Sequence, residues 1–172
     1  MRAIMVRTIV ATLGMFAMSF AAQAEEVKIP PGELPKPVLD AIKVKFPAAK
    51  ITQAEKETED GKTVYEVGLK TKGDTIDIAI TGAGKIMEVE KVVSLREIPR
   101  AVTAKIGVSY PGSTIKKAEE IIEYENGEEE KSYEVVVITQ TRKSVELKLS
   151  PEGKLLGTEE KAGSEQPGND RD

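Results

Sequence analysis

The 172-residue sequence contains no cysteine, no histidine and no tryptophan. Without histidine there is no imidazole base and no Ser-His-Asp triad, and without cysteine the usual ligands of zinc and copper are missing as well. Only four tyrosines and three phenylalanines are present, so few rings could stack on a sugar. We therefore predict that the protein is not an enzyme and that it holds no cofactor and no metal.

Long apolar runs are also scarce, and the one that exists lies near the amino terminus. Two arginines precede an uncharged, largely apolar run at residues 9–21, and a small-x-small sequence, Ala-Gln-Ala, follows it. As a helix this run rises ~20 Å, short of the ~30 Å hydrocarbon core of a membrane. The pattern is typical of a secretory signal peptide over residues 1–24, cleaved between Ala24 and Glu25. We predict a periplasmic or secreted protein with no membrane span after cleavage.

Positive charge is in the minority. The chain has 29 acidic and 25 basic residues and a formal net charge of −4. Loss of the signal peptide removes Arg2 and Arg7 but no acidic residue, which brings the net charge to −6. An acidic protein with interspersed charges repels phosphate backbones, so we predict that nucleic acid is not a partner.

The rest of the sequence contains one unit twice. The matching segments are Glu33-Leu34-Pro35 with Glu97-Ile98-Pro99, Tyr65-Glu66-Val67 with Tyr133-Glu134-Val135, and Gly84-Lys85-Ile86 with Gly153-Lys154-Leu155. The offset grows from 64 to 68 to 69 along these pairs, which places the insertions in loops. We predict five segments: the signal peptide, a lead at residues 25–32, repeats at 33–93 and 94–159, and an acidic tail at 160–172 that is too polar to order itself.

Each repeat is predicted to form one helix followed by four strands. The helices fall at residues 35–46 and 99–110, where apolar residues recur at i, i+3 and i+4. The strands alternate between apolar and polar residues, which predicts an antiparallel α+β fold with one covered and one wet face. Because residues 92–96 leave no slack between the repeats, we expect one curved sheet with both helices on the same side. The face predicted to be wet carries Glu66, Lys70, Asp77, Glu134, Glu146 and Lys148.

The order of these motifs resembles a known family. Each repeat has a helix that ends in Phe-Pro or Tyr-Pro, an acidic Asp-Gly or Asn-Gly turn, Tyr-Glu-Val, and Gly-Lys-Ile or Gly-Lys-Leu. This order is similar to the PepSY-like family, and in particular to its tandem branch of putative β-lactamase-inhibitor-like proteins. The resemblance covers residues 33–159. It implies the helix-plus-four-strand fold, export, and a non-enzymatic role in binding or inhibition, with no catalytic residues to transfer.

The polar sheet face of the second repeat is the candidate binding surface. It carries Glu134, Val136, Ile138, Glu146 and Lys148, with Gln140 and Ser144 beside them. Val136 and Ile138 interrupt the polar pattern. They are either buried by a loop or by the other repeat, or they form an exposed apolar patch that marks an interface. The predicted partner is a protein or peptide of the cell envelope or the extracellular space.

The acidic hairpin tips support an alternative function in binding a cation or a small ligand. The first tip holds Glu57, Glu59 and Asp60, and the second holds Glu119, Glu120, Glu123, Glu125 and Glu128-Glu129-Glu130 around Asn126-Gly127. No Asp-x-Asp-x-Asp-Gly calcium loop is present, so we favour the interpretation that these residues form a solvated tip. A third alternative is an assembly accessory without a soluble ligand. Gly82-Ala83-Gly84-Lys85 is interpreted as a hairpin turn and not as a phosphate loop.

Overall fold

A computed structural model describes residues 25–59 and 62–161. The predicted signal peptide, most of the predicted tail and the Asp60-Gly61 turn lie outside these residues. The described chain forms one antiparallel sheet of nine strands in sequence order, two α-helices and a short 3-10 helix at Pro31–Glu33. The elements are β1 (Glu25–Lys28), α1 (Lys36–Lys45), β2 (Lys50–Glu59), β3 (Lys62–Lys70), β4 (Thr75–Thr81), β5 (Ile86–Val92), α2 (Arg100–Ser109), β6 (Thr114–Glu125), β7 (Glu128–Ile138), β8 (Ser144–Leu149) and β9 (Leu155–Lys161).

The two helices are built alike, and their observed ends lie within one residue of the predicted ones. Each follows an extended proline at its N-cap, where the fixed φ of proline suits entry into a helix. Each ends at an aromatic residue whose backbone N–H donates to the last buried isoleucine: Phe46 to Ile42 at 2.7 Å and Tyr110 to Ile106 at 2.8 Å. Each helix is held against the sheet by burial of its apolar side.

The apolar face of the sheet provides two neighbouring core clusters. Residues of β3 and β4 form the cluster under α1, and residues of β7 and β8 form the cluster under α2. In β6, Ala118 belongs to the cluster under α2 while Tyr124 packs against the cluster under α1. Because residues an even number apart in a strand share a face, both helices cover the same side. The single sheet with helices on one side is therefore confirmed.

The structure has one strand that the sequence analysis did not assign. Strand β1 pairs with β2 so that Val27 lies opposite Lys56. The residues 64 positions later in the sequence, Lys91 of β5 and Glu120 of β6, also lie opposite each other. The hydrogen bond from Ile29 N to Ala54 O, 2.9 Å, likewise has its counterpart between Val93 N and Ala118 O, 3.0 Å. Strand β5 thus closes the first repeat and opens the second, and β1 fills the same opening position at the start of the sheet.

Glycines allow the helices to approach the sheet closely. Gly84 and Gly153 have φ values of +83° and +82°, in the turns after β4 and β8. A Cβ atom on Gly84 would lie 2.5 Å from the carbonyl oxygen of Pro37, and one on Gly153 would lie 2.5 Å from that of Ala101. The residues from Gly82 to Lys85 therefore form a hairpin turn against the start of α1, which confirms the prediction.

Candidate functional site: the acidic face of the sheet

The sheet face opposite the two helices is rich in carboxylates, and we call it the acidic face. Strand alternation places these side chains there, because each one neighbours a core residue of its own strand or, for Glu123, a tyrosine packed against the core. Its carboxylates include Glu55, Glu66, Asp77, Glu88, Glu90, Glu119, Glu123, Glu134 and Glu146. The face therefore spans both repeats and crosses the junction between β5 and β6.

Several carboxylates face each other directly across neighbouring strands. Glu88 lies opposite Glu123, Glu55 lies opposite Glu66, and Asp77 lies opposite Glu90. Opposed like charges destabilise a sheet unless they are protonated or compensated. Lysines compensate three of the carboxylates, with nitrogen–oxygen distances of 2.7 Å for Lys117 to Glu119, 2.8 Å for Lys148 to Glu123 and 3.6 Å for Lys28 to Glu55.

Protonation reduces the repulsion between carboxylates at the centre of the acidic face. Burial, followed by a hydrogen bond to Glu90 and the charges of Glu90 and Glu123, raises the pKa of Glu88 to about 8, against the weaker opposing effect of Lys148. Burial and the nearby charges of Glu90 and Glu119 also raise the pKa of Asp77. With its pKa raised to about 8, Glu88 retains a proton near neutral pH, which it can donate to Glu90.

The expectation that this face is wet is wrong for its central positions. Glu119, Glu134 and Glu146 expose 7%, 5% and 4% of their surface, and Ser132 exposes 1%. Cross-strand neighbours stand only about 5 Å apart, so the long side chains of a wide sheet shield one another. The Ser132 hydroxyl has no hydrogen-bond partner among the described residues. Replacement of Glu134 or Glu146 will therefore affect stability more than replacement of an ordinary surface residue.

The residues of the predicted binding surface lie together on two neighbouring strands. Glu134 is opposite Lys148, Val136 is opposite Glu146, and Ile138 is opposite Ser144. Val136 and Ile138 are half-buried, so they are neither fully covered nor a freely exposed patch. Gln140 does not belong to this surface. It lies in the turn after β7, where its amide covers Gly112 beyond the end of α2.

The residues assigned to the second hairpin tip do not all lie there. Glu128, Glu129 and Glu130 are exposed beside the turn formed by Asn126 and Gly127, whose φ values of +50° and +86° fit a type I′ turn. Glu119 and Glu123 lie instead within β6 on the acidic face. Glu120 points to the helix side, where it accepts hydrogen bonds from Lys131 at 2.9 Å and from the Tyr133 hydroxyl at 3.2 Å. The assignment failed because strand alternation separates residues that are adjacent in sequence.

Sequence reasoning missed the centre of the face. Glu88 and Glu90 alternate with Val89, the pattern that could have identified them. Their proximity to Glu123 depends on the register between β5 and β6. Because α2 separates these two strands in the sequence, no short turn fixes that register. Within the described residues, no group of three or more acidic side chains is arranged to hold a metal ion. In the same part of the chain, no helix is long and apolar enough to cross a membrane.

Solved structures show the same fold at low sequence identity. A putative periplasmic protein from Bacteroides eggerthii matches with a TM-score of 0.61 at 16% identity, over 73% of this chain and 88% of its own. A BLIP-like protein from Bacteroides fragilis matches with a TM-score of 0.59 at 20% identity, over 81% and 93%. A DUF2874 family protein from Bacteroides uniformis matches with a TM-score of 0.60 at 15% identity, over 73% and 88%.

Comparison with curated proteins gives no match. A family model described as "Putative beta-lactamase-inhibitor-like, PepSY-like" matches the chain twice, over residues 21–88 and 73–157. The two matches overlap from residue 73 to residue 88, a segment that contains β4 and the start of β5. Together they cover most of the sequence, in agreement with the internal repeat and the shared strand. The chain therefore belongs to the putative β-lactamase-inhibitor-like, PepSY-like family, in a tandem arrangement.

Proposed function

We propose that this protein is exported and that it binds a basic segment of another protein or peptide on its acidic face, without catalysis. The observation that carries the proposal is a row of carboxylates that continues across the repeat junction. Asp77 lies opposite Glu90, and Glu88 lies opposite Glu123. A rigid sheet presents these groups together. A partner that supplies a lysine or arginine would compensate these carboxylates in place of the proton on Glu88.

The comparisons support an exported binding protein. The B. eggerthii protein is described as periplasmic and the B. fragilis protein as BLIP-like. These descriptions agree with the signal peptide inferred for residues 1–24 and with a role in binding a protein. Where the partner is an enzyme, occupation of its surface by the acidic face would inhibit it. The identity of the proteolytic product tests export: N-terminal sequencing of the native protein should begin at Glu25.

A pair of matched variants tests the face directly. Glu66→Gln/Asp77→Asn/Glu90→Gln removes three carboxylates from half-buried positions of the acidic face. Glu128→Gln/Glu129→Gln/Glu130→Gln removes three carboxylates from the exposed tip and serves as the control. Mature protein and both variants are immobilised and exposed to the envelope fraction of the native cell, after melting curves show that all three are folded.

Capture of a partner should fall at least tenfold for the face variant and remain unchanged for the tip variant. Because the contact is electrostatic, the partner should also elute as salt is raised and the Debye length falls to a few ångströms. The same variants are titrated with an oligolysine peptide as a defined probe. Loss of binding in the tip variant with retention in the face variant would assign the function to the loops and make the sheet a scaffold.

A further inference from the structure

The two edge strands of the sheet, β1 and β9, are unequal. An edge strand presents a row of backbone N–H and C=O groups that can pair with another chain. Strand β1 has only four residues and pairs with β2 through Glu25 to Lys28. Strand β9 has seven residues, and its first two, Leu155 and Leu156, are 41% and 44% exposed. Within the part of the chain that the structure describes, the sheet thus ends in a short strand on one side and in a longer, unpaired strand edge on the other.

The internal junction shows which strand suits which edge. Strand β5 ends the first repeat and pairs antiparallel with β6, which follows the helix of the second, with Val89 opposite Ile122. Strand β9 follows β5 by 69 residues and occupies the same position in the second repeat that β5 occupies in the first. Strand β6 follows β2 by 64 residues, and these two strands are equivalent in the same way. A β9 strand can therefore pair with a β2 strand in the way that β5 pairs with β6. In the intact chain, β1 occupies this position beside β2.

We propose that β1 is a removable plug over an augmentation site on β2, and that this site accepts β9 of a second copy of the chain. Transfer of the β5–β6 register places Thr158 of one copy opposite Thr58 of the next. It also places Glu160 opposite Lys56, a pair of opposite charge, and Glu159 opposite Glu57, a pair of like charge that β1 already makes through Glu26. This pairing uses backbone groups of β2 and β9 and does not depend on the binding of a basic partner proposed above.

The surroundings of β1 fit a strand that can leave. A groove of about 450 Å³ opens on the helix side, and Val27 in β1 is 44% exposed beside it. The groove is lined by Val27, Ile29, Glu33, Lys56, Thr58 and Tyr65. The strand that corresponds to β1 in the second repeat is β5. It is paired on both sides, with β4 and with β6.

The plug keeps the intact protein monomeric. A strand on the same chain acts at an effective concentration in the millimolar range, so a second copy at micromolar concentration does not displace it. Once β1 is removed, each copy offers a free β2 site and a free β9 strand on opposite edges. Such head-to-tail contacts generate open chains of molecules, or rings where the rotation between successive copies closes.

The test compares the mature chain from Glu25 with a chain that begins at Ile29, the counterpart of Val93 just after β5. Circular dichroism and denaturant melts establish that both are folded. In sedimentation velocity at equal concentration, the mature chain should remain one protomer, and the shortened chain should form concentration-dependent species of three or more protomers. A peptide of residues 25–30 in excess should return them to single protomers.

Cysteine cross-linking tests the register, since the natural chain has no cysteine. Thr58→Cys with Thr158→Cys in the shortened chain should give a ladder of disulfide-linked species, and each single variant should stay monomeric on a non-reducing gel. A shortened chain that stays monomeric or fails to unfold cooperatively would overturn the proposal, because a plug must leave a stable sheet behind. Disulfide-linked dimers of the single Thr58→Cys variant would overturn it as well, since they indicate symmetric edge-to-edge pairing.

Discussion

The two repeats use the same hydrogen bonds inside but differ at their borders. The turn after β4 is closed by Gly84 N to Thr81 O at 2.8 Å, and the turn after β8 by Gly153 N to Ser150 O at 2.9 Å. The first repeat opens with the short terminal strand β1, whereas the second opens with β5, which is paired on both sides. The backbone of these turns is therefore the same in the two repeats, and the strands at the repeat borders differ.

The acidic face shows the same difference. Glu88 of β5 corresponds to Gly157 of β9 at an offset of 69, so the second repeat has no counterpart of the carboxylate with the raised pKa. The crowding also requires β6 on the other side of β5, which supplies Glu123. The raised pKa of Glu88 is thus a property of the junction and not of the repeat unit.

Truncation of equivalent core residues should have the largest effect and should be equal in the two repeats. Ile80 and Leu149 correspond at an offset of 69, and both are fully buried. Ile80→Ala and Leu149→Ala should each lower the free energy of unfolding by about 2–5 kcal/mol. Because one sheet joins the repeats, urea denaturation should show a single transition for both variants. A second transition in either variant would mean that the repeats unfold separately.

Alanine at the two turn glycines should be the next largest effect. In Gly84→Ala and Gly153→Ala the new Cβ meets a helix carbonyl oxygen as well as an unfavourable positive φ. We expect each to cost about 2–4 kcal/mol. Gly127→Ala is the control, because it has a φ of +86° but nothing within 4 Å of the new Cβ, so it should cost only about 1 kcal/mol. Equal losses at all three positions would show that the helix approach contributes nothing.

The junction carboxylates predict a pH dependence with a definite sign. The pKa of Glu88 is raised from 4.5 to about 8 in the folded state, so the folded chain retains a proton that the unfolded chain releases. This contribution to stability is fully present below pH ~4.5 and is lost as the pH rises through about 8, by a few kcal/mol at most. Across this pH range, the melting temperature should decrease less steeply with pH for Glu88→Gln than for the natural chain. Glu128→Gln at the exposed tip should keep the natural slope, and a matching slope in Glu88→Gln would contradict the assignment.

Calcium should produce the smallest effect. If the acidic tips bound calcium in the folded state, millimolar calcium would raise the melting temperature by mass action. We expect no shift beyond general screening, because Glu128 to Glu130 are exposed beside a tight turn. A saturable increase that disappears in Glu128→Gln/Glu129→Gln/Glu130→Gln would favour the cation-binding alternative.

Much of the fold could be predicted from local patterns. The positions of α1 and α2 follow from prolines at their starts and from 3.6-residue periodicity, and the core face follows from alternation in β3, β4, β7 and β8. Strand β1 could not be recognised in this way, because Glu-Glu-Val-Lys is short and charged and becomes a strand only beside β2. Extension of the 64-residue offset to Val27 and Lys91 was the available signal.

The site was less predictable than the fold. Alternation placed Glu66, Asp77, Glu134 and Glu146 on the correct face, but their burial depends on neighbours from other strands. The meeting of Glu88 with Glu123 depends on a register set across α2 and not by a hairpin. Local pattern thus identified which side of the sheet is polar, and long-range pairing determined where its carboxylates crowd.

The sequential order of the strands has a mechanical consequence. Because the order runs from β1 to β9, the first and last described strands lie on opposite edges of the sheet. A force applied to the two ends of the chain therefore pulls each edge strand sideways from its neighbour and breaks the ladder one hydrogen bond at a time, without shearing many at once. A protease or translocase that grips either end would meet little resistance from the sheet, even though we expect the same sheet to unfold as one unit in denaturant.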